Sequence, residues 1–229
     1  MAQTLDGPRL APRAGAPRHL VVFLHGFGAD GNDLIAVGRE WQRLLPDAAF
    51  VAPHAPEPCL AGGAGRQWFP LTFRDPHERW RGVNRAAPAL HAFLDAELAR
   101  LGLPASRLAL VGFSQGTMMA LHAGLRRAAA PAAIVGFSGL LVMEEGAGPE
   151  SLRQGADPIR AAPPILLVHG DQDDVIPVDA LFLSTDALGA AEVPVEWHLS
   201  QGVGHGIDGE ALRHAGLFVA RALTGRTPG

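Results

Sequence analysis

One stretch near the middle of the chain, residues 108–121, constrains the fold more than any other. It reads LALVGFSQGTMMAL: a short apolar run, the pattern Gly-x-Ser-x-Gly, and then apolar residues at helical spacing. This order predicts a buried strand, a sharp turn with Ser114 at the bend, and a helix. Gly112 and Gly116 suit the turn because side chains there would strike the neighbouring strand and helix. The backbone N–H groups that open the helix would point at the serine, where negative charge develops during nucleophilic attack.

The composition describes one globular α/β domain that covers residues 1–229. A chain of 229 residues with 48% hydrophobic and 18% charged residues is long enough for one such domain and too short for two ordinary ones. No apolar run approaches the roughly 20 residues that a membrane span requires. A net charge of −4 offers no basic surface to nucleic acid, so the expected partner is a small molecule.

The single cysteine, Cys59, bears on the compartment and on metal binding. It cannot form a disulfide within the chain, and no second thiol is present to complete a zinc site. The histidines lack the His-Glu-x-x-His and His-x-His-x-Asp spacings of metallohydrolases, so neither a metal nor another cofactor is expected. The first residues carry neither the basic region nor the apolar core of a secretory signal. Together these features predict a cytoplasmic protein.

Strands and helices alternate along the rest of the chain. Outside the 108–121 stretch, strands are predicted at 19–25, 48–51, 132–137, 165–169 and 193–199, and helices are predicted to begin near residues 33, 84, 178 and 208. Strands separated by helices imply a mainly parallel sheet covered on both faces, in a three-layer α/β/α domain. Residues 1–18 are predicted to be peripheral, with at most a short edge strand near 9–12.

The predicted chemistry starts from Ser114. A serine hydroxyl is a weak nucleophile, so it needs a nearby base, and that base needs an orienting carboxylate. In a fold with this strand, turn and helix, the order along the chain is serine, acid, histidine. Near the C-terminus, His198 lies in a strand pattern and His214 in a helix pattern. His205 lies in a glycine-rich loop that can bend an imidazole over the edge of the sheet, so it is the predicted base.

The acid is expected in the loop after the strand at 165–169. Asp171, Asp173 and Asp174 follow this strand at the carboxyl edge of the sheet, where open α/β sheets bind ligands. The spacing His-Gly-x-x-Asp-x-x-x-Pro favours Asp173. Asp171 is suited to stabilising the turn through its own backbone contacts, and Asp174 is the main rival for the acid.

Two backbone N–H groups are required to stabilise the oxyanion of a tetrahedral intermediate. The N–H of Gln115, directly after the serine, is the first candidate. The second is expected from the loop after the strand at 19–25, where Phe27 lies between two glycines.

The segment at 53–82 shows no clear periodicity but carries four aromatic residues: Trp68, Phe69, Phe73 and Trp80. Long loops without regular structure are uncommon in compact domains unless they serve a function. The preceding strand ends at the same sheet edge as Ser114, so Trp68, Phe69 and Leu71 are predicted to form one wall of an apolar substrate pocket. Residues 140–143, which end in Met143, are expected to face them. The alternative is that the aromatic residues only anchor the loop.

Several short stretches between residue 19 and the C-terminus carry a family resemblance: FLHGFG at 23–28, PHAP at 53–56, WF at 68–69, GFSQG at 112–116, HGDQD at 169–173 and GH at 204–205. They resemble the phospholipase/carboxylesterase family of α/β-hydrolases, which includes acyl-protein thioesterases and bacterial carboxylesterases. The resemblance implies an α/β-hydrolase fold with Ser114, Asp173 and His205 as catalytic triad. It also implies Phe27 and Gln115 as oxyanion donors. Family members commonly have proline after the loop aspartate, where this chain has Asp174.

The function implied by the resemblance is that of a serine carboxylesterase, which hydrolyses a small ester of short to medium acyl chain through an acyl-enzyme. Activity as an acyl-protein thioesterase or lysophospholipase is the alternative on the same scaffold. A binding domain without catalysis is a rival from another class, against which the complete set of catalytic residue types argues. Fold resemblance does not supply the substrate. The oligomeric state also stays open, with a homodimer as one alternative.

Overall fold

Seven strands form the central sheet of the protein, in the order β1-β3-β2-β6-β7-β8-β9. The structure is a computed structural model that describes residues 4–59, 63–72, 75, 77–155 and 157–226. The strands of this sheet are β1 (Arg9–Leu10), β2 (His19–Leu24), β3 (Ala48–Val51), β6 (Leu108–Phe113), β7 (Ala133–Phe137), β8 (Ile165–Gly170) and β9 (Val195–Ser200). Only β1 runs antiparallel to its neighbour, so the mainly parallel sheet that the sequence predicts is confirmed.

Helices cover both faces of this sheet. The helices are α1 (Gly31–Trp41), α2 (Glu78–Leu101), α3 (Gln115–Leu125), α4 (Ser151–Gln154), α5 (Asp179–Ala190) and α6 (Gly209–Thr224). Successive side chains of a strand point to opposite faces, and the apolar residues of the central strands therefore feed two cores. Residues of α2, α3 and α5 complete one core, and residues of α1 and α6 complete the other. Within the described residues, no helix is long and apolar enough to cross a membrane.

Two helix boundaries differ from the sequence prediction. Helix α1 begins at Gly31 because Asp30 caps it: the Asp30 side chain accepts from Asn32 N–H, and the Asp33 side chain accepts from Asp30 N–H. Helix α2 begins at Glu78, six residues before the predicted start at Asn84. The segment 53–82 is therefore not a structureless loop: it contains a two-stranded hairpin of β4 (Glu57–Pro58) and β5 (Arg66–Gln67), followed by the first turn of α2.

The N-terminal segment lies at the edge of the sheet, where β1 pairs with β3. It is also tied to α2, because Arg9 Nη2 donates to Glu97 Oε1 at 2.8 Å. Only 6% of the Glu97 side chain is exposed, and Arg100 donates to its other carboxylate oxygen at 2.6 Å. Burial raises the pKa of the Glu97 carboxyl, but the hydrogen bonds from Arg9 and Arg100 outweigh it and hold this pKa below its ordinary value. The charged form of Glu97 therefore stabilises the fold.

Replacing Arg9 should therefore destabilise the protein near neutral pH. We expect Arg9→Met to lower the free energy of unfolding by about 1–3 kcal/mol, because a buried carboxylate loses a donor. Urea unfolding at pH 7 measures this difference. The difference should shrink as the pH falls through the lowered pKa of Glu97, where the carboxylate becomes protonated. The double variant Arg9→Met/Glu97→Met removes the carboxylate too and should recover stability. An unchanged midpoint in the single variant would show that Arg100 alone satisfies Glu97.

Candidate active site

Ser114 lies in a strained turn between β6 and α3. Its φ of 52° and ψ of −116° lie in a region that residues other than glycine rarely adopt. The Ser114 N–H donates to Phe137 O at 2.9 Å, which ties the turn to β7. A Cβ on Gly112 would collide with the backbone of Gly116, and a Cβ on Gly116 would collide with Leu24 O. The two glycines thus allow the ends of β2, β6 and α3 to pack closely enough to impose this turn.

Helix α3 directs its N-terminus at this serine. Gln115 is the first residue of the helix, so its N–H has no acceptor within the helix. Every residue of α3 is buried, and Ser114 is only 8% exposed. Screening by water is weak at such a position, so the partial positive charge of the helix end acts strongly on an anion formed there.

His205 and Asp173 are joined by a hydrogen bond between His205 Nδ1 and Asp173 Oδ2 of 2.8 Å. The carboxylate is fully buried, and its Oδ1 also accepts from the N–H groups of Val175 and Ile176, each at 2.9 Å. Burial raises the pKa of Asp173, but the hydrogen bonds from His205, Ile176 and Val175 bring it below its ordinary value. An ionised carboxylate only accepts, so His205 carries its proton on Nδ1 and leaves Nε2 as a base. Asp174 is exposed.

The loops that carry Asp173 and His205 are fastened to each other. Gln172 N–H donates to Val203 O at 2.9 Å, and Asp171 Oδ1 accepts from Gly202 N–H at 2.6 Å. Asp171 thus stabilises the neighbouring loop, whereas the sequence suggested contacts within its own turn. Gly170 allows this approach, because a Cβ there would collide with Val203 O.

The His205 ring also packs on the residue before Ser114. Its centroid is 5.0 Å from that of Phe113, the residue before Ser114. No hydrogen bond joins Ser114 Oγ to the ring within the described part of the chain. In free enzymes this bond is often long and tightens only when substrate binds.

The loop after β2 also packs on Ser114. Gly26 packs so closely on Ser114 that a Cβ there would be 3.3 Å from Ser114 Cβ, and Phe27 follows directly. His25 is fully buried and structural: its Nε2 accepts from Ala55 N–H at 2.9 Å, so its Nδ1 donates to Gly26 O at 2.8 Å. Burial lowers the pKa of His25, which keeps this tautomer neutral. His25 therefore fixes the backbone from which Phe27 N–H projects.

The side chain of Gln115 braces the same region. Its Oε1 accepts from Trp68 N–H at 2.8 Å, and its Nε2 donates to Phe69 O at 2.7 Å. Trp68 Nε1 in turn donates to His25 O at 3.0 Å. Arg66 N–H donates to Ala29 O at 2.8 Å, which joins the hairpin to the loop after β2. Gln115 thus offers its backbone N–H to the site while its side chain fixes the adjoining segment.

Comparisons with known proteins identify the family. The family model described as phospholipase/carboxylesterase matches residues 5–223. The chain belongs to this family. Acyl-protein thioesterase 1 of Schizosaccharomyces pombe is 35% identical over 69% of this chain and 69% of its own length. Esterase YpfH of Escherichia coli is 27% identical over 86% and 80% of the two chains.

Among solved structures, the crystal structure of esterase PE8 resembles the chain with a TM-score of 0.89 and 43% identity, covering 96% of this chain and 100% of that one. The predicted α/β-hydrolase fold is thereby confirmed, and so is the assignment as a carboxylic-ester hydrolase.

An apolar cleft lies between helix α5 and the segment that follows β7 in this phospholipase/carboxylesterase family member. It has a volume of about 300 Å³ and is bounded by residues 140–147, by one face of α5 and by Arg79. Ser114 does not line the cleft, but Gly139, the residue before Leu140, packs on the backbone of Ser114: a Cβ on Gly139 would lie 2.8 Å from Ser114 O. Ser184 Oγ accepts from Leu141 N–H at 2.9 Å, which joins the two walls.

The four residues that the sequence places in a substrate pocket lie in different environments. Met143 lines the cleft. Trp68 and Phe69 are 1% and 0% exposed in the core, and neither lines the cleft. Leu71 is partly buried against the same core. Phe73 lies outside the described residues.

The sequence reasoning missed several polar side chains that shape the site. The brace made by Gln115 and the orienting role of His25 depend on contacts between segments far apart in the chain, for which no local pattern exists. His169 is a third such side chain. It belongs to the motif HGDQD, but the motif does not indicate which groups its ring contacts. Within the described residues, no group of three or more His, Cys, Asp or Glu side chains could hold a metal ion.

The contrast between Asp173 and its neighbour predicts a sharp difference between two variants. Asp173→Asn should lower kcat by about 10⁴-fold, because the amide favours the wrong tautomer of His205 and does not stabilise the imidazolium. Asp174→Asn, one residue away on the exposed side, is the matched control and should change kcat little. Ester turnover by the two folded variants measures the difference. Similar losses in both would remove the basis for assigning the acid to Asp173.

Proposed function

We propose that the protein is a serine carboxylesterase that cleaves esters of short to medium acyl chain through an acyl-enzyme on Ser114. The observation that carries the proposal is the buried contact between Asp173 and His205, set beside a serine in a strained turn at a helix N-terminus. This combination is the arrangement by which a serine becomes a nucleophile near neutral pH.

The first half of the reaction forms the acyl-enzyme. Ser114 Oγ attacks the carbonyl carbon of the ester while His205 Nε2 takes the hydroxyl proton. The negative charge moves to the carbonyl oxygen, where the N–H groups of Phe27 and Gln115 stabilise it. The tetrahedral intermediate then collapses, the bond to the leaving oxygen breaks, and His205 returns the proton to the departing alcohol.

The second half releases the acid. Water attacks the acyl carbon and gives a proton to His205 Nε2, and a second tetrahedral intermediate uses the same two N–H donors. Its collapse breaks the bond to Ser114 Oγ, which recovers its proton from His205. Asp173 remains ionised throughout and stabilises the imidazolium that forms twice in each cycle.

The apolar cleft is the proposed acyl site. Its wall begins at Leu140, which follows the Gly139 that packs on the Ser114 backbone, and Met143 and Ala180 contribute apolar surface further along. A volume of about 300 Å³ lies at the lower end of small-molecule sites, which favours short and medium chains over long ones. Each CH₂ buried there contributes about 0.8 kcal/mol, or roughly a fourfold gain in kcat/KM.

Thioester hydrolysis is the second candidate, since the Schizosaccharomyces pombe relative is named an acyl-protein thioesterase. Both reactions use the same acyl-enzyme and differ in the leaving group. Matched ester, thioester and lysophospholipid substrates with one acyl chain distinguish them by kcat/KM. We propose the ester as the best substrate, and a higher kcat/KM for the thioester or the lysophospholipid would replace this assignment.

The nucleophile can be tested by covalent labelling. A fluorophosphonate should label the native protein once. Ser114→Ala should abolish labelling and should lower kcat by about 10³-fold or more, because the triad acts as a unit. Ser106→Ala, an exposed serine before the start of β6 and so at the opposite edge of the sheet from Ser114, is the control and should label normally. Labelling and turnover that survive in folded Ser114→Ala would refute the proposed mechanism.

The acyl site can be tested by filling the cleft. Ala180→Phe places a ring in the cleft and should flatten the rise of kcat/KM with acyl length, while turnover of the acetyl ester stays close to native. Ala190→Phe makes the same substitution on the exposed end of the same helix, outside the cleft, and should keep the native slope. A homologous series of p-nitrophenyl esters measures the slope. An unchanged slope in Ala180→Phe would place the acyl chain elsewhere.

A further inference from the structure

A second histidine contacts the carboxylate of Asp173. His169 is near the end of β8, 1% exposed, and its Nε2 lies 2.8 Å from Ile176 O and 3.2 Å from Asp173 Oδ2. A carbonyl oxygen only accepts, so Nε2 of His169 must carry a proton. This N–H donates to Ile176 O and lies close to Asp173 Oδ2, which is the oxygen that accepts from His205 Nδ1.

This contact completes the surroundings of the buried carboxylate. Asp173 Oδ1 faces two backbone N–H groups, from Val175 and Ile176, and Oδ2 faces two imidazoles, His205 and His169. The carboxylate thus accepts three hydrogen bonds, and the fourth neighbour, His169 Nε2, lies close to Oδ2 while it donates to Ile176 O. The carboxylate is thereby held in one orientation, with Oδ2 turned towards the base.

We propose that His169 is a positioning residue of the triad. Its Nε2–H donates to the carbonyl of Ile176, whose N–H donates to Asp173 Oδ1, and the same Nε2 lies beside Oδ2, the oxygen that orients His205. The inference rests on the proposed function, since it concerns the same triad. His169 does not touch the reacting atoms and acts through Asp173.

The contact has two consequences for catalysis. The polar N–H of His169 lies 3.2 Å from Oδ2 and partly offsets its negative potential, which limits how strongly Asp173 favours the imidazolium form of His205. The hydrogen bond from His169 Nε2 to Ile176 O ties the loop that carries Asp173 to the end of β8. Within the described residues, the titratable side chains in contact with Asp173 are His205, from the loop after β9, and His169, from β8. The neighbouring carboxylates Asp171 and Asp174 are exposed.

A pair of substitutions separates this role from a merely structural one. His169→Gln keeps an N–H donor near the position of Nε2, whereas His169→Leu removes the donor and keeps a buried side chain of moderate size. His19 is the matched control, because it is also a buried histidine of the central sheet and is only 3% exposed. It lies at the start of β2, whereas the loop with Phe27 follows the end of that strand. His19→Leu and His19→Gln report what the loss of a buried histidine does to stability alone.

The measurements are kcat, KM and the pH profile of kcat/KM for an ester, with thermal unfolding at each pH as the control for folding. The acid limb of kcat/KM reports protonation of the base in the free enzyme. We expect His169→Leu to lower kcat by about 10- to 100-fold with little change in KM, as for outer partners that orient metal ligands. We also expect its acid limb to move to higher pH, because Asp173 without this donor favours the imidazolium more. His169→Gln should restore most of both properties, and the His19 variants should keep the native profile.

Several outcomes would overturn the proposal. An acid limb that stays in place or moves to lower pH in His169→Leu would show that His169 does not share the charge of Asp173. Equal losses in the Leu and Gln variants would show that the donor is irrelevant. Failure of the proposed function is distinguishable, because it would leave turnover in Ser114→Ala or no ester turnover in the native protein.

Discussion

The close approach of three backbones at the end of β6 is the constraint on which the site depends. Gly116 lies against Leu24 O, and Gly112 lies against Gly116, with no room for a side chain at either position. The turn between them forces Ser114 into a conformation that costs on the order of 1–3 kcal/mol. The surrounding core, in which α3 is buried along its whole length, offsets this cost. The same packing brings Gln115 N–H and the loop with Phe27 to one point.

The polar groups around this point are buried and joined to one another, which fixes their geometry. His25 accepts from Ala55 and donates to Gly26 O, the Gln115 amide spans Trp68 and Phe69, and the Asp173 carboxylate has three donors. Burying any of these polar groups without a hydrogen-bond partner would cost folding free energy, but a network in which every group has a partner holds each in a single orientation. Donors that are already aligned need no reorganisation when charge develops, and this accounts for the advantage of a buried site over a solvated one.

The parts of the fold that the sequence predicts are those with a strong local pattern. The strands around the sheet and the turn at Ser114 are of this kind, since glycine spacing and apolar runs report buried backbone directly. The start of α2 was predicted too late because its first six residues, 78–83, include three charged side chains and a glycine at 82 and show no clear apolar periodicity. That glycine is explained only in three dimensions: a Cβ on it would collide with the ring of Phe69.

The same reason limits prediction of the site. Ser114, Asp173 and His205 each lie in a recognisable motif, and the fold brings the last two into contact. The choice between Asp173 and Asp174 depended on which side chain turns inward, and spacing alone cannot decide this. The two residues differ in burial, and only Asp173 reaches His205. The aromatic pair Trp68 and Phe69 looked like a pocket wall because their composition is apolar, but buried aromatic side chains serve equally well as a core.

Buried histidines also make the stability of the protein depend on pH. Burial lowers the pKa of His19, His25 and His91, and it lowers the pKa of His122 to about 3. In the unfolded chain these groups would bind protons near the ordinary value of about 6.5, whereas the folded protein binds them only at lower pH. The unfolded state therefore binds more protons in this range, and stability falls as the pH drops below about 6.5. Unfolding driven by these buried histidines is therefore one cause of lost activity in acid, and a thermal scan at the same pH reveals it.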